Sequence, residues 1–345
     1  MRALRLRRVG EPPRLEDVPL RSPGRGEVVL DVLAAGLCHS DLHVIEGAGG
    51  RLPYSPPFTL GHEVAGRVVA VGADVTRVQL GEAVVVYGPW GCDRCERCAR
   101  GSQNYCDRKA ELTASGIGLG VDGGMADALV VAASRLVEIG ELDPVSAASL
   151  TDAGLTSFHA VARVRDRLGA GRVAVVVGVG GLGHMAVQIL RACTAGRVVA
   201  VDRQQAALDL AERSGAHASA YAGPDAVAAV SAASDGRGAD VVFDFVGSDD
   251  TLAFAVEVLR TDGELVLVGS GGGVLSLTKP GVLPRGARVS LPFWGTYHEL
   301  VEVVRLARAG RLHVETTTFK LDDALQAFDL LRHGRVRGRA VLVPA

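Results

Sequence analysis

The chain has 345 residues, 48% of them hydrophobic, which exceeds one ordinary core and suffices for two domains. A formal net charge of -2, with acidic and basic residues spread along the chain, excludes a nucleic-acid footprint and a charged tail. Aromatic residues are only 4% while glycine counts 44, a mixture suited to buried parallel strands and close helix packing, so the expected class is α/β. No apolar run approaches membrane-spanning length and Met1-Arg2-Ala3-Leu4-Arg5 lacks a signal-peptide core; the expectation is a cytoplasmic protein with neither membrane nor nucleic acid as partner.

In chain order, residues 26–33 and 63–87 predict short β-branched strands punctuated by glycine, with a proline-rich loop at 53–57: an antiparallel, partly barrel-like region. From about residue 153 the pattern alternates. It predicts strand 173–177, helix 182–192, strand 198–201, helix 204–214, strand 241–245, helix 251–259 and strand 264–268, a doubly wound parallel sheet. After Pro284 come strand 288–291, helices over 297–309 and 321–332, and a final strand 340–343.

His62, between Gly61 and Gly66 in a Gly-His-Glu-Val-Ala-Gly stretch, has the makings of a metal ligand, although a histidine beside a glutamate is also ordinary in a turn. Cys38 upstream and Asp152 downstream raise its standing, because together they offer S, N and O donors, a zinc set with one position open. Asp152 before Ala153-Gly154-Leu155 has equally the chemistry of a helix N-cap, in which case Glu63 would approach the metal. Cys92, Cys95, Cys98 and Cys106 form Cys-x2-Cys-x2-Cys-x7-Cys, which can wrap one tetrahedral Zn²⁺ and leave no site for water; Arg94, Arg97 and Arg100 would offset the thiolate charge. An iron-sulfur cluster is the competing tenant, disfavoured by the fourth spacing.

Val173–Val177 runs into Gly178-Val179-Gly180-Gly181-Leu182-Gly183 and then a helical stretch, the setting in which such glycines turn the chain and let backbone approach a pyrophosphate. Asp202 closes the next strand, where its carboxylate would accept from ribose hydroxyls and repel a 2′-phosphate, favouring NAD; Arg203 next door could instead receive that phosphate.

The cysteine cluster, the Gly61-His62-Glu63 stretch with Gly66 and Gly72, Cys38 and the later glycine fingerprint have the order and spacing of the zinc-containing medium-chain alcohol dehydrogenases. Along essentially its whole length the chain resembles the bacterial NAD-dependent secondary-alcohol dehydrogenases. The resemblance implies a GroES-like catalytic domain over 1–152 and 294–345, a Rossmann domain over 153–293, two zinc ions per chain, NAD, and a homodimer or homotetramer. It gives Ser40 the first proton of the alcohol, passed through the nicotinamide ribose towards His43, with helix capping the alternative for Ser40; Asp41 would hold the His62 ring through its other nitrogen. It places Val246, Gly247, Val268, Gly269 and Ser270 along the nicotinamide and Arg337 on the pyrophosphate, a task Arg339 could equally serve. Tyr54, Leu119, Phe293 and Trp294 would line an apolar slot between the domains for a bulky or aryl secondary alcohol or ketone. Asp152 departs from the commonest pattern, where many members have cysteine. A polyol or threonine dehydrogenase is the runner-up, and a catalytically silent zinc and NAD-binding protein the alternative from another class.

Overall fold

The computed structural model describes residues 1–47 and 55–344, so Tyr54 lies outside the described residues. The chain divides into two compact units, Met1–Leu155 with Trp294–Ala345, and Thr156–Phe293. No helix among the described residues is long and apolar enough to cross a membrane.

The second unit is the Rossmann sheet. Its six strands lie in the order Ala218–Tyr221, Arg197–Asp202, Val173–Val177, Ala239–Asp244, Leu259–Leu267, Arg288–Ser290, and every pairing is parallel. The central strand is all Val and Ala and buried throughout, as a strand covered by helices on both faces must be. Helices Gly183–Cys193, Gln205–Arg213 and Asp249–Val258 fall where the alternation predicts them. Strand Ala218–Tyr221 and helix Pro224–Ala233 complete the first half-sheet and were not anticipated. Ala-Ser-Ala-Tyr has no β-branched residue, and the helix, rich in Ala, lacks a sharply polar face.

The first unit is mainly β. A seven-stranded sheet runs Leu136–Glu138, Ala83–Val86, Glu63–Val71, Glu27–Leu37, Arg339–Val343, Thr316–Lys320, with Ala128–Ala132 also paired to Glu27–Leu37. Alternate residues of its strands, among them Val28, Leu30, Val32, Val64, Val68, Val84, Val86, Leu129 and Val131, form one apolar core. Register positions the site. Gly36 lies opposite Glu63, and Leu37 opposite Ala340, so three adjacent strand ends deliver Cys38, His62 with Glu63, and Arg339 to one place. Gly36 permits this: a Cβ there would stand 2.2 Å from Glu63 Oε2.

Candidate functional site

Cys38 follows strand Glu27–Leu37 and caps helix His39–Glu46, with Asp41 at the third helical position closing the cap: Asp41 Oδ2 accepts from the Cys38 N–H at 2.9 Å. Ser40 is therefore inside the first turn and not its cap. The second Asp41 oxygen, Oδ1, lies 3.2 Å from His62 Nδ1. An Nδ1–H donated to that buried carboxylate leaves the Nε2 lone pair free. Nε2 is 3.8 Å from Asp152 Oδ2, which is 3.4 Å from Cys38 Sγ. A tetrahedral ion with bonds of about 2.0–2.3 Å spaces its donors about 3.3–3.8 Å apart, so the thiol, imidazole and carboxylate have the separations of a zinc set.

Charge makes the same point. Cys38, Asp41, Glu63 and Asp152 are all buried, with Arg339 as the guanidinium among them. Arg339 donates to both Glu63 oxygens and, at 2.8 Å, to Asp152 Oδ2. Burial alone would lower the His62 pKa, but Asp41, then Asp152 and Cys38, raise it well above the ordinary histidine value. Surroundings that draw a proton so strongly onto a buried imidazole suit a divalent cation. Glu63 Oε1 is 4.0 Å from Nε2 and belongs to the same cluster, whose donor atoms all lie within 4.8 Å of one another. Asp152 follows the short helical turn Ser149–Thr151 and turns Oδ2 into this cluster.

The four cysteines of the other cluster also lie within 4.8 Å of one another, Cys95 Sγ and Cys106 Sγ being 4.0 Å apart. Backbone N–H groups of Cys92, Cys95, Cys98 and Arg108 donate to the sulfurs of Cys106, Cys92, Cys95 and Cys106 at 3.3–3.4 Å. The Arg94 N–H, the largest influence, draws the Cys92 thiol down to about 6, whereas burial pushes Cys98 up to about 12. Four sulfurs gathered this closely, with backbone N–H groups donating to three of them, have the arrangement of a tetrathiolate metal site. Arg94, Arg97 and Arg100, expected to offset thiolate charge, form ion pairs with Glu111, Asp107 and Glu96. Cys95→Ser is expected to remove one zinc from this lobe and lower the thermal midpoint, with the other cluster's metal retained. Metal analysis beside calorimetry checks it, and unchanged zinc content would refute the assignment.

In the Rossmann unit Gly178 takes φ 84°, and a Cβ on Gly183 would stand 1.9 Å from the Gly178 carbonyl oxygen, so turn and helix packing both require glycine. Gly180 is exposed, and a Cβ there meets nothing within 4 Å. Gly181 and Leu182 complete the loop into helix Gly183–Cys193. Asp202 has a task the sequence did not disclose: Oδ2 accepts from Val179 N–H at 2.8 Å and Oδ1 from the N–H groups of Arg203 and Gln204, pinning the glycine loop to the next strand. Asp244 was also missed. Buried at a strand end, it accepts from the N–H groups of Val246 and Gly247 at 2.9 Å and from the Thr251 hydroxyl at 2.8 Å. Val268 and Gly269 donate to its carbonyl, and a Cβ on Gly269 would stand 2.3 Å from Val246, so these two loops lie together; Ser270 is exposed beside them.

Arg339 is committed to Glu63 and Asp152, while Arg337 stands at the surface, 2.8 Å from Glu315. Leu119 and Trp294 are buried in the first unit and Phe293, in the second, is 40% exposed. The Trp294 ring meets His62 edge-on, with centroids 5.5 Å apart.

Comparison with known proteins agrees with this arrangement. Residues 24–141 match the alcohol dehydrogenase GroES-like domain and residues 181–309 the zinc-binding dehydrogenase family. The chain is 35% identical to an NAD-dependent alcohol dehydrogenase of Sulfurisphaera tokodaii, over 100% of both chains. It is 34% identical to a D-arabinose 1-dehydrogenase (NADP(+)) of Saccharolobus solfataricus, over 99% of this chain and 97% of the relative. A solved structure of acetophenone reductase from Geotrichum candidum, in complex with NAD, superposes with a TM-score of 0.88 at 29% identity, covering 99% of this chain and 96% of that one. With both halves matched and relatives aligned end to end, the chain belongs to the zinc-containing medium-chain alcohol dehydrogenase family, as an NAD-dependent enzyme.

Proposed function

We propose that the enzyme interconverts secondary alcohols and ketones with NAD(H), taking substrates with a bulky apolar or aryl substituent, and holds two zinc ions per chain. The observation that carries the reading is the convergence of Cys38, His62 and Asp152 as three donors, with Glu63 of the same cluster held by Arg339, so that a fourth position is left for substrate. Zinc held there would supply a Lewis acid for the alcohol oxygen, and NAD the acceptor for the hydride. The chain's own residues do the rest. Ser40 takes the hydroxyl proton, His43 one turn on in the same helix relays it, Asp41 fixes the His62 tautomer, and the four cysteines keep a structural zinc. Gly178, Gly180 and Gly183 shape the pyrophosphate loop, and Asp202 faces the ribose hydroxyls.

The aryl preference is supported by the buried apolar Leu119 and by Trp294 beside His62, together with the likeness to an acetophenone reductase. A polyhydroxylated substrate is the second reading, favoured by the likeness to a D-arabinose 1-dehydrogenase. Self-association into a dimer or tetramer would cover Val274, Leu277, Val282 and Leu291, which are exposed before and after the edge strand Arg288–Ser290. Cysteines gathered into a metal-binding cluster suit a cytoplasmic setting.

The test is NADH absorbance with zinc-replete protein offered 1-phenylethanol, 2-butanol and D-arabinose with NAD or NADP. The highest kcat/KM is expected for 1-phenylethanol with NAD. A preference for D-arabinose replaces the reading, and no turnover of any of the three leaves the silent binding protein. Asp202→Asn removes the charge and keeps one of the two acceptor oxygens that pin the loop, so NAD discrimination should relax by about tenfold to a hundredfold, the worth of one like-charge repulsion at about 6–12 Å in a medium of effective dielectric about 20. Wild-type protein using NADP as well as NAD would rule out this role for Asp202.

A further inference from the structure

Trp294 has a left-handed backbone, φ 52°, which a bulky residue adopts only where its surroundings impose it. The surroundings here grip the indole from several sides. Nε1 donates to the Thr151 carbonyl at 2.9 Å, and the ring stands at 83° to the His62 imidazole. Its six-membered ring occupies the space a side chain at position 88 would need, since a Cβ on Gly88 would be 2.3 Å from Cζ2. The next residue is anchored too: the buried Tyr87 hydroxyl donates to the Gly295 carbonyl at 2.9 Å. Trp294 itself is 5% exposed.

One indole thus holds the peptide immediately before Asp152 and braces the ring of His62, two of the three catalytic donors. Resting on the reading that Cys38, His62 and Asp152 hold the catalytic zinc, we propose that Trp294 is a positioning residue that fixes the separation of His62 and Asp152, with Gly88 the small residue that makes room for it. A pocket-lining role alone would alter substrate choice. A brace alters how firmly the metal is held.

Two variants approach the brace from opposite sides. Trp294→Phe keeps an aromatic ring and removes the Nε1 donor; Gly88→Ala keeps the donor and displaces the ring. Zinc release to 1,10-phenanthroline, the visible spectrum after cobalt exchange, and the thermal midpoint are measured for each. Both should release one zinc about 10- to 100-fold faster than wild type, the usual cost of losing a partner that orients a metal ligand, and keep the second zinc. Both should also shift the cobalt d–d bands, which a purely structural role would leave in place. In the Trp294→Phe background Gly88→Ala should accelerate release less than it does alone, because the smaller ring tolerates the added methyl. Wild-type release rates and unchanged cobalt spectra in Trp294→Phe overturn the proposal, even where Gly88→Ala does not fold. Failure of the underlying reading looks different: wild-type protein would then contain no zinc that Cys38→Ser removes.

Discussion

Asp152→Ala is expected to leave one zinc in place, lose the other, and turn over alcohols at about one thousandth of the wild-type rate or below, since Lewis-acid assistance is worth several kcal/mol and about 1.4 kcal/mol is a factor of ten. The geometry separates this from unfolding. Asp152 Oδ2 faces Cys38 Sγ and His62 Nε2 and accepts from Arg339, which keeps Glu63 when Asp152 is gone. No buried guanidinium is therefore stranded, and the thermal midpoint should fall modestly. Asp152→Asn sharpens the test: it retains an oxygen for Arg339 but removes the anionic donor, so metal affinity should fall with little change in stability. Zinc content, turnover and melting on the same preparations decide the matter. Two zinc ions with normal activity in Asp152→Ala would free Asp152 of a ligand role and centre the site on Glu63, whose carboxylate is in the same cluster.

Much of this was legible because the chemistry is local. Val173–Val177 is recovered to the residue, since a strand buried on both faces is an unbroken apolar run between turn signals. The four cysteines lie within one short loop, so their spacing alone implied the cluster found in space. Cys38, His62 and Asp152 are scattered, and only their donor types linked them; the strand register brings Cys38 to His62, and the turn Ser149–Thr151 carries Asp152 to them. Arg339 was not legible. An arginine near the C-terminus, 276 residues from Glu63, reads as solvated, and only the pairing of Ala340 with Leu37 carries it indoors. Asp202 and Asp244 show the same limit. Asp202 was visible at a strand end and Asp244 fell inside the expected strand 241–245, but the loops they pin are defined by backbone N–H groups that no side-chain pattern encodes.

Ser40→Ala is expected to lower kcat about 100-fold or more with both zinc ions retained and KM little changed, because a positioned proton acceptor contributes about 10²–10⁴ to such a step. Ser40 is exposed in the first turn of helix His39–Glu46, and its Oγ is 3.5 Å from Cys38 Sγ, so a hydroxyl stands beside the donor set without being one of its donors. His43 follows three residues later, which on a helix puts the two side chains on one face. The spacing suits a relay: the hydroxyl accepts the alcohol proton as it gives up its own, and the imidazole, half-buried, hands the proton outward. Ser40→Thr preserves the hydroxyl and should restore most of kcat. His43→Gln should produce a smaller defect, since water can substitute at the outer end of the path. Steady-state kinetics with 1-phenylethanol, read beside metal analysis, distinguishes the cases. Loss of zinc in Ser40→Ala would show that the serine supports the Cys38 ligand instead, and a normal kcat with normal zinc would take Ser40 out of the reaction.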